Sequence, residues 1–135
     1  SALAGDVNLF AVLKFAMAME NGRAGSEFKL TARRALELAT IDAARIVGTD
    51  KQVGSLVPGK RADLIMIATD HLNMAVGSDP VHLVVEATQP DNVDTVVVDG
   101  RILKRGGKLV FVQASDVVRE ANVALAEVRK RANWR

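Results

Sequence analysis

The chain has 135 residues, 49% hydrophobic and 25% charged, a balance that suits one domain with a sizeable core and gives no sign of disorder. Its net charge of +2 is small and its basic residues are interleaved with acids, so composition argues against a nucleic-acid partner. No apolar run reaches the ~20 residues of a membrane-spanning helix, and the lack of cysteine removes disulfides, thiolate metal sites and a cysteine nucleophile.

The chain opens Ser1-Ala2-Leu3 without an initiating methionine, which suggests processing or truncation. Asp6 is positioned to cap a first helix over Val7 to Glu20, with Asn21-Gly22 as its stop. Only Asn8, Lys14 and Glu20 are polar in that span, so the helix expects neighbours on most sides. The same run lacks the basic lead and cleavage site of a signal peptide, and a cytoplasmic location is expected.

A second helix is predicted from Leu30 with Thr31 as its cap, and a third from Thr40, where TIDAARIVG places Asp42 in the first turn and Gly48 at the stop. In VGSLVPGKRADLIMI, Val53 to Ile67, Pro58 and Gly59 suit the central positions of a type II turn. The following run Ala62 to Ile67 reads as a buried strand. Thr69 to Pro80 reads as a loop, and Val81 to Ala87 as a short helix or strand. Val96-Val97-Val98 and Ile102-Leu103 flank Asp99-Gly100, the preferred pair of a type I′ hairpin, and Arg105-Gly106-Gly107 turns the chain again before Leu109 to Val112. These segments form a three-stranded meander. Ser115 to Asn133 is a terminal helix with Ser115 as its cap, Val117, Ala121, Ala124 and Val128 at helical spacing, and a Glu127–Arg131 pair.

The fold class expected is therefore α+β: a helical part over 1–50, a small and partial β domain or sandwich over 51–112, and a terminal helix over 113–135, packed as one unit. No repeat or linker demands a second domain.

Candidate chemistry is sparse. The two histidines, His71 in a loop and His82 beside an apolar run, show no ligand spacing and are expected to be one surface and one partly buried structural residue. Asp6, Asp42, Asp63 and Asp99 fall at a cap, a first helical turn, a strand start and a hairpin turn, which are structural uses of aspartate. Lys60-Arg61 fits a solvated turn better than an anion site. Gly106-Gly107 lacks the pattern of a phosphate loop, and no serine has a histidine and acid around it. No catalytic, cofactor-binding or metal-binding residue is assigned.

Three stretches in order, TIDAARIVG at Thr40 to Gly48, GSLVPGKRADLI at Gly54 to Ile65 and VDTVVVDGRIL at Val93 to Leu103, resemble the metal-dependent amidohydrolase superfamily, in its cytosine deaminase and chlorohydrolase-like branch. The resemblance runs from about Asp6 to Gly107. It implies the end of a (β/α)8 barrel followed by most of a composite β domain, with Val7 to Glu20 as the closing barrel helix and Ser1 to Gly5 just beyond the last metal-binding aspartate. It implies also that the complete enzyme hydrolyses a non-peptide carbon–nitrogen bond of a small molecule with one divalent metal, zinc or iron. This chain would lack the ligands and be inactive alone, with the missing barrel as its partner. The alternative is a non-catalytic structural or oligomerisation domain. Under either reading the apolar first helix, left uncovered, favours self-association.

Overall fold

The computed structural model describes residues 8–74, 77 and 79–134. Helix α1 runs over Leu9–Ala24. Its cap is Asn8, whose side-chain oxygen accepts from the amides of Phe10 and Ala11 at 3.1 and 3.3 Å. Asp6, the expected cap, lies outside the described residues. The helix passes through Asn21-Gly22 and stops at Gly25, which takes φ 61. Asn21 serves the next turn instead: its Oδ1 accepts from the Leu30 amide at 2.7 Å and its Nδ2 donates to the Leu30 and Glu27 carbonyls.

Thr31 caps α2 (Ala32–Glu37) as expected, accepting from the Arg34 amide at 3.2 Å. Thr40 does not begin a new helix. α2 continues through a π-helical turn, Leu38–Asp42, into α3 (Ala43–Ile46) with right-handed helical backbone at both junctions. The Thr40 hydroxyl donates back to the Leu36 carbonyl at 2.7 Å, the bond of a threonine inside a helix rather than at its start. Gly48, at φ 74, ends the helix where the sequence places the stop.

The turn at Pro58-Gly59 forms, with φ 93 at Gly59 and the Lys60 amide donating to the Val57 carbonyl at 3.1 Å. Strand β1 is Leu64–Ile67, shorter than the apolar run containing it. Segment 81–87 is helical: α4 (Pro80–His82) is capped by Asp79 and runs into a second π-helical stretch, Leu83–Ala87. Strands β2 (Val93–Val98), β3 (Arg101–Arg105) and β4 (Lys108–Leu109) follow, and the terminal helix α5 is Ala114–Arg131.

The four strands form one antiparallel sheet in the order β1-β2-β3-β4. The meander is therefore present and carries β1 as an additional edge. Leu64 faces Val97 and Met66 faces Thr95, with a bulge before Ile67. Asp99 and Gly100 at φ 51 and 75 make the type I′ turn. Chain 110–112, expected to be strand, leaves the ladder after the Val110 amide donates to the Leu103 carbonyl. The expectation of a buried β1 also fails, since Ile65 and Met66 are 47% and 57% exposed. An apolar run is buried only if something covers both faces, and among the described residues the sheet is a single layer. α5 starts from Gln113, which makes no side-chain cap bond, so Ser115 is inside the helix rather than its cap. The expected Glu127–Arg131 pair forms at 3.1 Å.

The core is helical. Leu13 of α1, Ala32 and Ala35 of α2 and Val85 of the second π stretch are buried together, with Met17, Leu30, Leu36, Ala39 and Val81 packed around them. Small residues on α2 permit close approach of the helices, so one leucine and one valine fill the centre.

Candidate functional site

Of the aspartates and basic residues considered for acid-base chemistry, Asp42, Asp63, Asp99, Lys60 and Arg61 are occupied locally, and Asp6 lies outside the described residues. Asp42 lies in the π turn, its side chain only 16% exposed, between Arg45 Nη1 at 2.7 Å and Arg34 Nη1 at 2.6 Å. Burial pulls its carboxyl upward, but the two guanidiniums outweigh that and hold it below the usual aspartate value. The Oδ2 atom is sealed from solvent with Arg34 beside it but off the hydrogen-bonding direction, so that contact is ionic. Arg34 also reaches Glu37, and its own pKa is raised, first by that hydrogen bond. The cluster clamps α2 to α3 across the π turn.

Asp63 Oδ1 accepts from the Asp99 amide, the Gly100 amide donates to the Ala62 carbonyl at 3.1 Å, and Arg61 stands 3.4 Å from the Asp99 carboxylate. The tip of the β2–β3 hairpin is thus tied to the entry of β1. Lys60 is less solvated than its turn position suggests: its Nζ donates to Ser55 Oγ at 2.7 Å and the Val53 carbonyl at 3.2 Å, closing the loop before β1. The two carboxylates that the hairpin brings close are engaged in backbone and arginine contacts, not aimed at a cleft.

Both histidines are exposed, which corrects the expectation that one is partly buried. His82 Nδ1 is 3.0 Å from Glu86 Oε1 one helical turn on, and His71 Nε2 is 3.9 Å from its neighbour Asp70. Among the described residues no three His, Cys, Asp or Glu side chains converge as a metal site would require.

Polar order missed by the sequence reading lies where the helices meet the sheet. Asn92, buried, exchanges amide hydrogen bonds with Asn73 at 2.8 and 3.2 Å and accepts from the Gln89 amide. Asn73 also donates to the Ala87 carbonyl. Thr88 is fully buried; its hydroxyl donates to the Leu83 carbonyl, and its own carbonyl accepts from Lys14 Nζ at 2.9 Å. Lys14, one of the few polar residues of α1, therefore places its charge at the C-terminal end of the α4 segment, where a helix favours a cation. Its isolation in an apolar helix was the available signal. This network positions elements and has no group free to take part in a reaction.

The most extended unpartnered feature is apolar. Leu13 and Met17 turn one side of α1 to the core, while Val12, Phe15 and Met19 on the other side are 54%, 66% and 59% exposed. Ile46, Val47, Leu56 and Leu72 are also largely exposed. So much apolar surface outside the core of a small unit marks a face built for contact.

The sequence profile described as the amidohydrolase family matches residues 2–103. A 5'-deoxyadenosine deaminase of Methanobrevibacter smithii is 33% identical over 102 residues, covering 75% of this chain and 23% of that protein. The structure of an adenosine deaminase from Xanthomonas campestris with bound zinc superposes with a TM-score of 0.85 at 22% identity, over 90% of this chain and 28% of that one. An atrazine chlorohydrolase from Arthrobacter aurescens complexed with zinc superposes with a TM-score of 0.77 at 23% identity, over 84% of this chain and 25% of that one. The chain thus spans about a quarter of the length of the proteins it resembles.

Proposed function

This chain belongs to the amidohydrolase family, and from that premise we propose that it is the C-terminal part of a metal-dependent enzyme that hydrolyses a non-peptide carbon–nitrogen bond, releasing ammonia from an adenosine-like substrate. In this role α1 closes a barrel, the sheet forms part of the accompanying β domain, and water activation falls to residues and a divalent metal, zinc or iron, held by the remainder of the enzyme. The observation that carries the reading is the pairing of a family match over 2–103 with Asp42, Asp63, Asp99 and His82 committed to local contacts. Hydrolysis at a metal needs several convergent ligands and an acid-base group, and among the described residues no three His, Cys, Asp or Glu side chains converge. The open side of α1, with Val12, Phe15 and Met19, supports a barrel as its cover. The identity of a deaminase relative supports the substrate class.

The test uses two proteins. The product of the complete coding sequence, extended upstream of Ser1, is expected to release ammonia from 5'-modified adenosines and to lose that activity on chelation. The 135-residue chain alone is expected to do neither and to bind no stoichiometric zinc or iron. Turnover or tight metal binding by the isolated chain would refute the assignment of the chemistry to other residues.

A further inference from the structure

Helix α5 is the longest among the described residues, at 18 residues, and buries none of them. Most of its apolar side chains nevertheless share one side: Val117, Ala121, Ala124, Leu125 and Val128 recur at spacings of three and four, with Val118 at the edge of the stripe and Val123 on the far side, and Val117, Leu125 and Val128 are 49%, 43% and 54% exposed. Helices of this length owe most of their stability to packing such a stripe. The charges, meanwhile, are sorted by end. Residues 114–123 carry Asp116 and Glu120 against Arg119, a net charge of −1, and residues 124–131 carry Arg129, Lys130 and Arg131 against Glu127, a net charge of +2. Asp116 pairs with Arg119 and Glu127 with Arg131 within the helix, while Glu120, Arg129 and Lys130 make no ion pair among the described residues.

We infer that α5 pairs antiparallel with the α5 of a second copy of this chain. The sorting of charge selects both partner and direction. A parallel pair would stack the basic ends of both copies together, whereas an antiparallel pair sets each basic end beside the acidic half of the other helix. With Ala121 opposite the partner's Val128 and Ala124 opposite the partner's Leu125, a two-fold axis crosses near Leu125, and Glu120 comes alongside the partner's Arg131. The alanines of the stripe let the helix axes approach closely. This surface is separate from the open side of α1, and the inference does not depend on the amidohydrolase reading.

Because the chain contains no cysteine, single cysteines report the geometry directly. Leu125→Cys, beside the axis, is expected to form a disulfide-linked dimer on mild oxidation. Val117→Cys is expected not to link to itself, since the two copies would lie about 22 Å apart along the pair at ~1.5 Å per residue, far beyond disulfide reach. A mixture of Val117→Cys and Ala132→Cys chains is expected to link across. Self-linking of Val117→Cys would mean a parallel pair, and no linking at any position would mean that α5 has no second copy; either overturns the inference. In sedimentation, Glu120→Arg and Arg131→Glu are each expected to shift the chain toward monomer and the double reversal to restore the dimer. Helical circular dichroism of every variant confirms that the fold is retained. If the double reversal stays monomeric, the charge pairing that fixes direction is wrong.

Discussion

Asp42 shows how a single carboxylate can be structural and still titrate. Its folded pKa is depressed, so the stabilisation from Arg45 and Arg34 is present above the ordinary aspartate value of 3.8 and is lost as pH falls through the lower folded value. Asp42→Asn is therefore expected to be less stable than the parent at neutral pH and to lose less stability on acidification, an outcome readable from urea midpoints between about pH 6 and pH 3. Gly54 is constrained differently. It holds φ 87, and a Cβ there would come within 2.7 Å of Ala44 Cβ and 3.1 Å of Ile41 Cα. Gly54→Ala should cost roughly 1–3 kcal/mol by combining left-handed strain with overpacking, measured by denaturant unfolding. Glycine in the loop was visible in the sequence; its reason, the nearness of α3, was not.

At the scale of elements, legibility follows how local the cause is. Asp99-Gly100 and Pro58-Gly59 demand particular backbone angles whatever surrounds them, and both turns formed where the sequence placed them. Thr40 and Ser115 misled because a hydroxyl before a helical pattern serves equally as a cap or as an interior residue, depending on whether the preceding residues are already helical. The length of β1 depended on β2 as partner, and its exposure on the absence of a covering layer. Lys14 illustrates a link between elements that periodicity cannot show. Removing its amine while keeping an apolar stem, as in Lys14→Met, strands the carbonyl of the fully buried Thr88. The expected loss is about 1–3 kcal/mol, seen as a lower urea midpoint with an unchanged slope.

For the whole molecule, the sequence offered two histidines without ligand spacing and aspartates at caps and turns, and singled out none of them as a site residue. The structure adds where those groups are engaged. The apolar character of α1 was equally plain, but its division into a core side and an open side required the positions of α2 and the α4 segment. Phe15→Glu lies on the open side and 66% exposed, so it should change the stability of the isolated chain by less than about 0.5 kcal/mol while reducing its binding of an apolar dye. In the complete enzyme the same substitution is expected to lower thermal stability sharply, because a charge would then be buried without a partner. Equal melting shifts in both contexts would show that this side is not covered.

The two π-helical turns, Leu38–Asp42 and Leu83–Ala87, both reach the buried cluster, Val85 as a member of it and Ala39 packed against it. Each holds one residue more than an α-helical turn would, and at 3.6 residues per turn that residue advances every later side chain by about 100°. They act as phase adjusters. Deleting one residue between Leu38 and Asp42 would leave a smoother helix with Ala44 turned away from Gly54 and Asp42 swung out of reach of Arg34. A helix shortened by only about 1.5 Å would thus be mistimed relative to everything downstream, and the loop leading to β1 would start from the wrong side of its own support.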